Sequence, residues 1–458
     1  MYELLIKGGT IVTSAGRYRA NIAAEGGVIA DITAQEPEAE RVIDAKSKII
    51  LPGIMDMHTH LREPGYTHKE DFETGTQAAA AGGVTFVSPQ PNLDPVPNNV
   101  ERYRKQIEIG EKKSLVDFSP PASPMLYEEG WVPKLAREGA AYFKIFQKVA
   151  AYPYNTAAGT TNIAHIYRAF KEIAKTGLYC SIHPFSKDFF DETPIMMKKQ
   201  GILMTLPNYS TRIYTEEEFA SAAYQLYYLA KKAGMKWYAL HAGLSPDYLE
   251  LVRKTKASRE CCVIASGEAM LQRLALGRLY DVKRGEWFDT GKRPLNWDAF
   301  WRAINDGTID FLGTDHAPHL REEMEPDDPL KANMGTPVLE WYGHLLLNDV
   351  NKGSLTLEKL VEATSENAAK IFGFYPQKGA IQVGSDADFT IADLKKDWVI
   401  TSEKVYTKCQ INPFHGMKIK GKVTHTVLRG QVIMEEGEVT GKPGYGRFIR
   451  PKKAAMIR

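Results

Sequence analysis

Six side chains in this sequence have the types and placement for metal-assisted chemistry. His58-Thr59-His60 follows the apolar run Ile54-Met55-Asp56-Met57. Residues two apart on an extended chain share a face, so both imidazoles leave one strand end together and suit chelation of a single ion. An isolated HxH pair is more often two surface or core histidines, and the rest of the chain has to decide. His183 closes Cys180-Ser181-Ile182, His241 closes Tyr238-Ala239-Leu240, and Asp315 follows Phe311-Leu312-Gly313-Thr314. Each alone would suit a satisfied core residue or a helix cap. Four strand ends that all offer imidazole or carboxylate are harder to explain as packing, because buried groups of this kind must be paired or coordinated.

Lys144 lies inside the apolar run Tyr142-Phe143-Lys144-Ile145-Phe146. A lysine can snorkel to the surface. If it stays buried, desolvation lowers its pKa and leaves a neutral, nucleophilic amine. Such an amine beside metal ions can take up carbon dioxide as a carbamate, whose two oxygens can bridge two ions and add the anionic ligand that histidines lack.

The elements that must position these residues alternate. Val84-Thr85-Phe86-Val87, residues 141–146, Tyr179-Cys180-Ser181-Ile182, Trp237-Tyr238-Ala239-Leu240, Cys262-Val263-Ile264 and residues 309–312 read as strands, with helical periodicity over 216–233 and 357–372 between and after them. The predicted fold class is α/β: residues 53–375 are long enough for a TIM-type (β/α)8 barrel, whose functional side chains sit just past the C-terminal ends of its strands. The two ends differ. Leu4-Leu5-Ile6, residues 10–13, 21–23 and 28–30 near the start, and residues 388–392, 398–400, 425–428 and 431–434 near the end, are short β runs broken by turns. They predict one small β-sandwich domain formed by both termini, from residues 1–52 and 376–458.

Composition narrows the function classes. The 458 residues are 43% hydrophobic and 25% charged, with 58 Lys and Arg against 56 Asp and Glu. A net charge of +2 gives no broad footprint for nucleic acid or an anionic membrane. No apolar run reaches the ~18 to 20 residues of a membrane span, and the Met1–Lys7 start lacks the pattern of a signal peptide. Cys180, Cys261, Cys262 and Cys409 are too few for a disulfide scaffold in so long a chain. The expectation is a cytoplasmic protein acting on a small molecule.

At this point the sequence resembles a known family. Asp56-Met57-His58-Thr59-His60, Gly139 to Lys144, His183, His241 and Gly313-Thr314-Asp315-His316-Ala317-Pro318 occur in the order found in the amidohydrolase superfamily, specifically its cyclic-amide hydrolases: dihydroorotases, hydantoinases and allantoinases. Gly379-Ala380 and Gly384 to Phe389 match that family's return into its sandwich. The resemblance implies that His58, His60 and Asp315 hold one divalent ion, His183 and His241 the other, and carboxylated Lys144 bridges them, with zinc the expected metal. Two such ions lower the pKa of a shared water toward ~7. Asp315 then has the proton-transfer role, taking a proton from the water and returning it to the leaving ring nitrogen. The family is commonly a homodimer or homotetramer, and its partner is a small cyclic amide.

The stretch from Leu61 to Asn92 is most similar to dihydroorotases, which implies that Arg62 and Asn92 hold a substrate carboxylate; His319, in Asp315-His316-Ala317-Pro318-His319, also resembles dihydroorotases, which implies that it lines the site. A guanidinium suits a carboxylate through paired hydrogen bonds. The plainer alternatives are a salt bridge from Arg62 to Glu63 or Glu70, and a turn role for Asn92. The second half departs from dihydroorotases at Pro184-Phe185-Ser186, at 265–271 and at 291–296. Tyr152 and Tyr154 stand near the place of a hydantoinase tyrosine but out of register. The expected function is therefore a dihydroorotase-like hydrolase of a carboxylate-bearing ring. The alternatives are a hydantoinase, dihydropyrimidinase or allantoinase acting on another ureide or imide, and a non-catalytic barrel homologue serving as an assembly subunit. Retention of all six ligand positions argues against the last.

Overall fold

The structure is a computed structural model that describes residues 1–125, 130–147, 159–268, 277–290, 296–333 and 335–452. Eight short strands form the centre: β1 (Ile54–Thr59), β2 (Val84–Pro89), β3 (Asp117–Phe118), β4 (Phe143–Phe146), β5 (Tyr179–His183), β6 (Lys236–Ala239), β7 (Val263–Glu268) and β8 (Phe311–Gly313). Neighbours pair in parallel in two arcs, β1-β2-β3 and β4-β5-β6-β7-β8. Parallel bridges Ala122↔Phe143 and Thr59↔His316 join the arcs. At least one helix follows each strand, as parallel crossovers require. The result is a (β/α)8 barrel.

Tyr142, Tyr238, Phe311 and Phe372 fill the interior, with ring centroids 5.1 to 5.8 Å apart. All are buried, and each contributes roughly 1.5 to 3 kcal/mol by leaving water. The helical run expected over 357–372 comprises Leu357–Val361, a π-helical turn Glu362–Glu366 and Asn367–Phe372. That turn brings Ser365 Oγ within 3.1 Å of the Gly53 carbonyl at the start of β1. β3 was missing from the expected strands. It has two residues and runs into Pro120-Pro121, too little for a periodic signal.

Both chain ends contribute to a β-sandwich. One sheet runs in the order Glu438–Val439, Gln431–Glu435, Lys418–Leu428, Phe389–Val399, Ile49–Pro52, Thr10–Thr13, Gly16–Arg19. The other runs Val28–Thr33, Asn21–Glu25, Tyr2–Lys7, Ala39–Asp44. Leu4, Ile22, Ile29, Phe389, Ile391 and Val427 meet in its core, so neither end buries its apolar face alone. A buried ion network ties β3 to the C-terminal segment. Lys378 Nζ lies 2.5 Å from Asp117, 2.7 Å from Asp388 and 2.8 Å from Asp386, and Arg429 also pairs with Asp117. Among the described residues, no helix is long and apolar enough to cross a membrane.

Candidate active site

The barrel brings the expected ligands to the C-terminal ends of its strands. His58 Nε2 and His60 Nε2 lie 3.3 and 3.1 Å from Asp315 Oδ1, and His241 Nε2 lies 4.0 Å from Asp315 Oδ2. His183 Nδ1 is 3.0 Å from His241 Nε2. Lys144 pairs in register with Ser181 on β5, is fully buried, and holds its Nζ 4.6 Å from the Phe146 ring centroid.

Local backbone and hydrogen bonds aim these groups. His241 and Asp315 take left-handed φ values of 57° and 50°, turning their side chains off the ends of β6 and β8. Asp56, wholly buried in β1, accepts from the backbone N–H groups of His58 at 3.0 Å and Thr314 at 3.2 Å, joining the β1 and β8 ends. Burial pushes its carboxyl up to about 7 despite those donors.

The imidazole orientations fit divalent metal ions. His60 Nδ1 lies 2.7 Å from Asn92 Oδ1. His58 Nδ1 and His241 Nδ1 lie 3.4 and 3.1 Å from the two oxygens of Glu268. His60 and His58 Nδ1 meet their acceptors within hydrogen-bond geometry, and a ring that donates from Nδ1 offers its lone pair at Nε2. Nε2 faces Asp315 in His58, His60 and His241. Desolvation by burial lowers the His58 pKa and brings His60 down to about 3, so both rings are neutral, as ligation requires. Burial pushes Asp315 up, but His58 and His60 more than offset this and hold its carboxyl well below the usual range. Neutral imidazoles facing one ionised carboxylate form a donor set for zinc or a similar ion.

Arg62 and His319 meet beside this centre. Arg62 is buried with φ 61°, donates from Nε to the Pro318 carbonyl at 3.1 Å, and places Nη2 3.0 Å from His319 Nε2. The alternative acid partners are engaged elsewhere: Glu63 with Lys113, Glu70 with Thr74 and Thr407. Asn92 is not in a simple turn role, since its carbonyl meets His60. Gly335 is required here, because a Cβ would sit 2.5 Å from the Ala317 carbonyl and 2.9 Å from His319.

Comparison with known proteins decides the lineage. The profile of the amidohydrolase family matches residues 49–433. This chain belongs to the amidohydrolase family. An L-hydantoinase of Paenarthrobacter aurescens is 30% identical over 98% of both chains. A dihydroorotase of Methanosphaera stadtmanae is 33% identical over 92% of this chain and 94% of its own. The solved L-hydantoinase (dihydropyrimidinase) from Arthrobacter aurescens superposes with a TM-score of 0.88 at 28% identity, covering 98% of this chain and 100% of that one. The amidohydrolase described here is thus a hydrolase of cyclic amide C–N bonds, within the group of hydantoinases, dihydroorotases and allantoinases.

Several residues of this amidohydrolase site had no role assigned from sequence. Glu268 stood in the 265–271 segment, and only its position at the end of an apolar strand, like the ligands, could have marked it. Lys69 and Glu323 brace His319: Lys69 Nζ lies 3.3 Å from His319 Nδ1 and 2.7 Å from Glu323. Desolvation lowers Lys69 to about 8. Tyr152, Tyr154 and residues 269–271 and 291–295 lie outside the described residues. His344 and His415, given no role, are held structurally, His344 by the Val423 N–H and His415 by stacking on Tyr280.

Proposed function

We propose that this amidohydrolase opens a cyclic amide whose ring carries a carboxylate, with a dihydroorotate-like substrate foremost. In this reading residues 53–375 are the catalytic barrel and 1–52 with 376–458 the sandwich domain. His58, His60 and Asp315 hold one divalent ion, zinc foremost, and His183 and His241 hold the second. Lys144 bridges them after its amine adds carbon dioxide and loses one proton. When bound, the ions supply Lewis acidity toward the ring carbonyl and a more acidic water.

The remaining work falls to the chain. Asp315, 15% exposed where the other acids of the site are sealed, is the carboxylate that can accept a proton from water and return it to the ring nitrogen as the C–N bond breaks. Amide nitrogen leaves poorly without that proton. Asn92 positions His60 and can turn its amide N–H toward substrate.

The observation that carries the substrate class is Arg62. Its guanidinium sits buried two residues beyond a metal-ligand histidine, anchored on Pro318 and His319, so its fork is ordered before a carboxylate arrives. A second reading, a neutral hydantoin, is favoured by the full-length likeness to an L-hydantoinase and by Phe185, an apolar buried residue just past His183. Arg62→Met separates them. On the proposed reading kcat/KM for a carboxylate-bearing ring falls by at least about 100-fold, as for loss of a charged hydrogen-bond pair, while neutral hydantoin changes little. Equal losses on both rings would contradict the carboxylate role.

A further inference from the structure

We propose that Lys69 is a positioning residue that sets the selectivity of the site for a carboxylate-bearing ring by holding His319 against Arg62. The inference rests on the carboxylate reading of Arg62 above and adds to it the side chain that keeps the guanidinium in place.

Lys69 stands shortly before the helix Phe72–Ala81 and is wholly buried. Its Nζ donates to Glu323 at 2.7 Å and lies 3.3 Å from His319 Nδ1. Glu323 is fixed in turn by accepting the Leu320 N–H at 3.0 Å. On the far side of the imidazole, His319 Nε2 meets Arg62 Nη2 at 3.0 Å, and Arg62 Nε donates to the Pro318 carbonyl at 3.1 Å. The ring is itself fully buried, and a Cβ at Gly335 would come within 2.9 Å of its Cδ2. His319 is thus an enclosed, rigid spacer between a lysine and an arginine, and a shift of one cation is passed to the other.

Two features separate this arrangement from ordinary bracing. Burying an ammonium is costly, and an apolar side chain would fill the same space without that cost. Lys69 and Arg62 also bring two cationic side chains to one imidazole. Desolvation and then the Arg62 charge lower the Lys69 pKa to about 8, which leaves it charged at pH 7. Glu323 offsets part of this charge, but at 20% exposure it is better screened by solvent than the two buried cations. A carboxylate delivered to Arg62 enters the field of both cations, whereas an uncharged ring gains from neither. A brace alone would serve every ring equally.

The test is a double-mutant cycle on the metal-loaded protein at pH 7 with Lys69→Met, Arg62→Met and both together. The readout is the ratio of kcat/KM on dihydroorotate to that on a neutral substituted hydantoin, with kcat and KM resolved for each. Lys69→Met is expected to lower the ratio about 10- to 100-fold, chiefly through KM for dihydroorotate, at a circular-dichroism spectrum and metal content like wild type. In the Arg62→Met background it should lower the ratio no further, because it acts through the guanidinium. Lys69→Arg, which keeps the cation, should recover part of the ratio. Should Lys69→Met fail to fold, Lys69→Gln, which keeps a polar tip for Glu323, carries the same comparison. A ratio within twofold of wild type in Lys69→Met, with both rings losing equally, would overturn the proposal, as would a full further loss in the Arg62→Met background. The two readings separate: an unchanged ratio in Lys69→Met beside a lowered one in Arg62→Met removes the role of Lys69 alone, while an unchanged ratio in Arg62→Met removes the carboxylate reading and this proposal with it.

Discussion

Asn92 Oδ1 lies 2.7 Å from His60 Nδ1, so a residue that the resemblance assigns to substrate also orients a histidine that it assigns to a metal ion. The contact explains why β2 must deliver its end beside β1, to which it pairs in parallel. Asn92→Ala should therefore lower metal affinity about 10- to 100-fold in chelator competition, with partial recovery of kcat in excess metal. A rise in KM alone, with wild-type metal retention, would assign Asn92 to substrate only.

On the proposed reading Lys144 contributes differently, through a carboxylate that the amino acid does not itself carry. Lys144→Ala should lose metal and turnover together, by at least about 100-fold, because the bridging anion goes with the amine. Short carboxylic acids such as acetate should restore part of both. Full activity in the variant would remove the bridging role.

The cluster around Asp315 was legible in the sequence because its histidines and Asp315 close or follow apolar runs, a pattern that packing alone does not produce, while Lys144 lies inside one. His58 and His183 lie at the ends of strands, His241 follows one, and Asp315 follows Phe311-Leu312-Gly313-Thr314. The sandwich was legible for a related reason: short alternating runs at both ends, neither large enough to bury its own face. What sequence did not reveal is what holds the ligands. Glu268 and Asn92 reach their histidines across 210 and 32 residues of chain, and no local pattern encodes an Nδ1 partner. Lys69 looks like a solvated lysine between His68 and Glu70, yet it is wholly buried against Glu323 and His319.

Glu340 gives a pH dependence that is independent of the metal centre. Burial raises its carboxyl from 4.5 to about 8, although it accepts the Tyr406 N–H at 2.8 Å. The folded state thus keeps this proton where the unfolded chain releases it. Its contribution to stability is fullest below pH 4.5, falls as pH rises from 4.5 to about 8, and is level above. Glu340→Gln should raise the melting temperature at pH 8 relative to wild type and change it little at pH 5, a difference on the order of a few kcal/mol at about 1.4 kcal/mol per pKa unit. The same shift at both pH values would contradict a buried, protonated Glu340.

Turnover by the purified, metal-analysed protein distinguishes the candidate rings. The rings to compare are dihydroorotate, substituted hydantoins, dihydrouracil, allantoin and cyclic imides, each scored by kcat/KM with the metal content of the same sample. Two divalent ions per chain and the highest kcat/KM on the ring that carries a carboxylate are expected. Two bound ions with a neutral ring preferred by tenfold or more would contradict the reading of Arg62, and loaded protein that opens none of these rings would contradict the reading of the site.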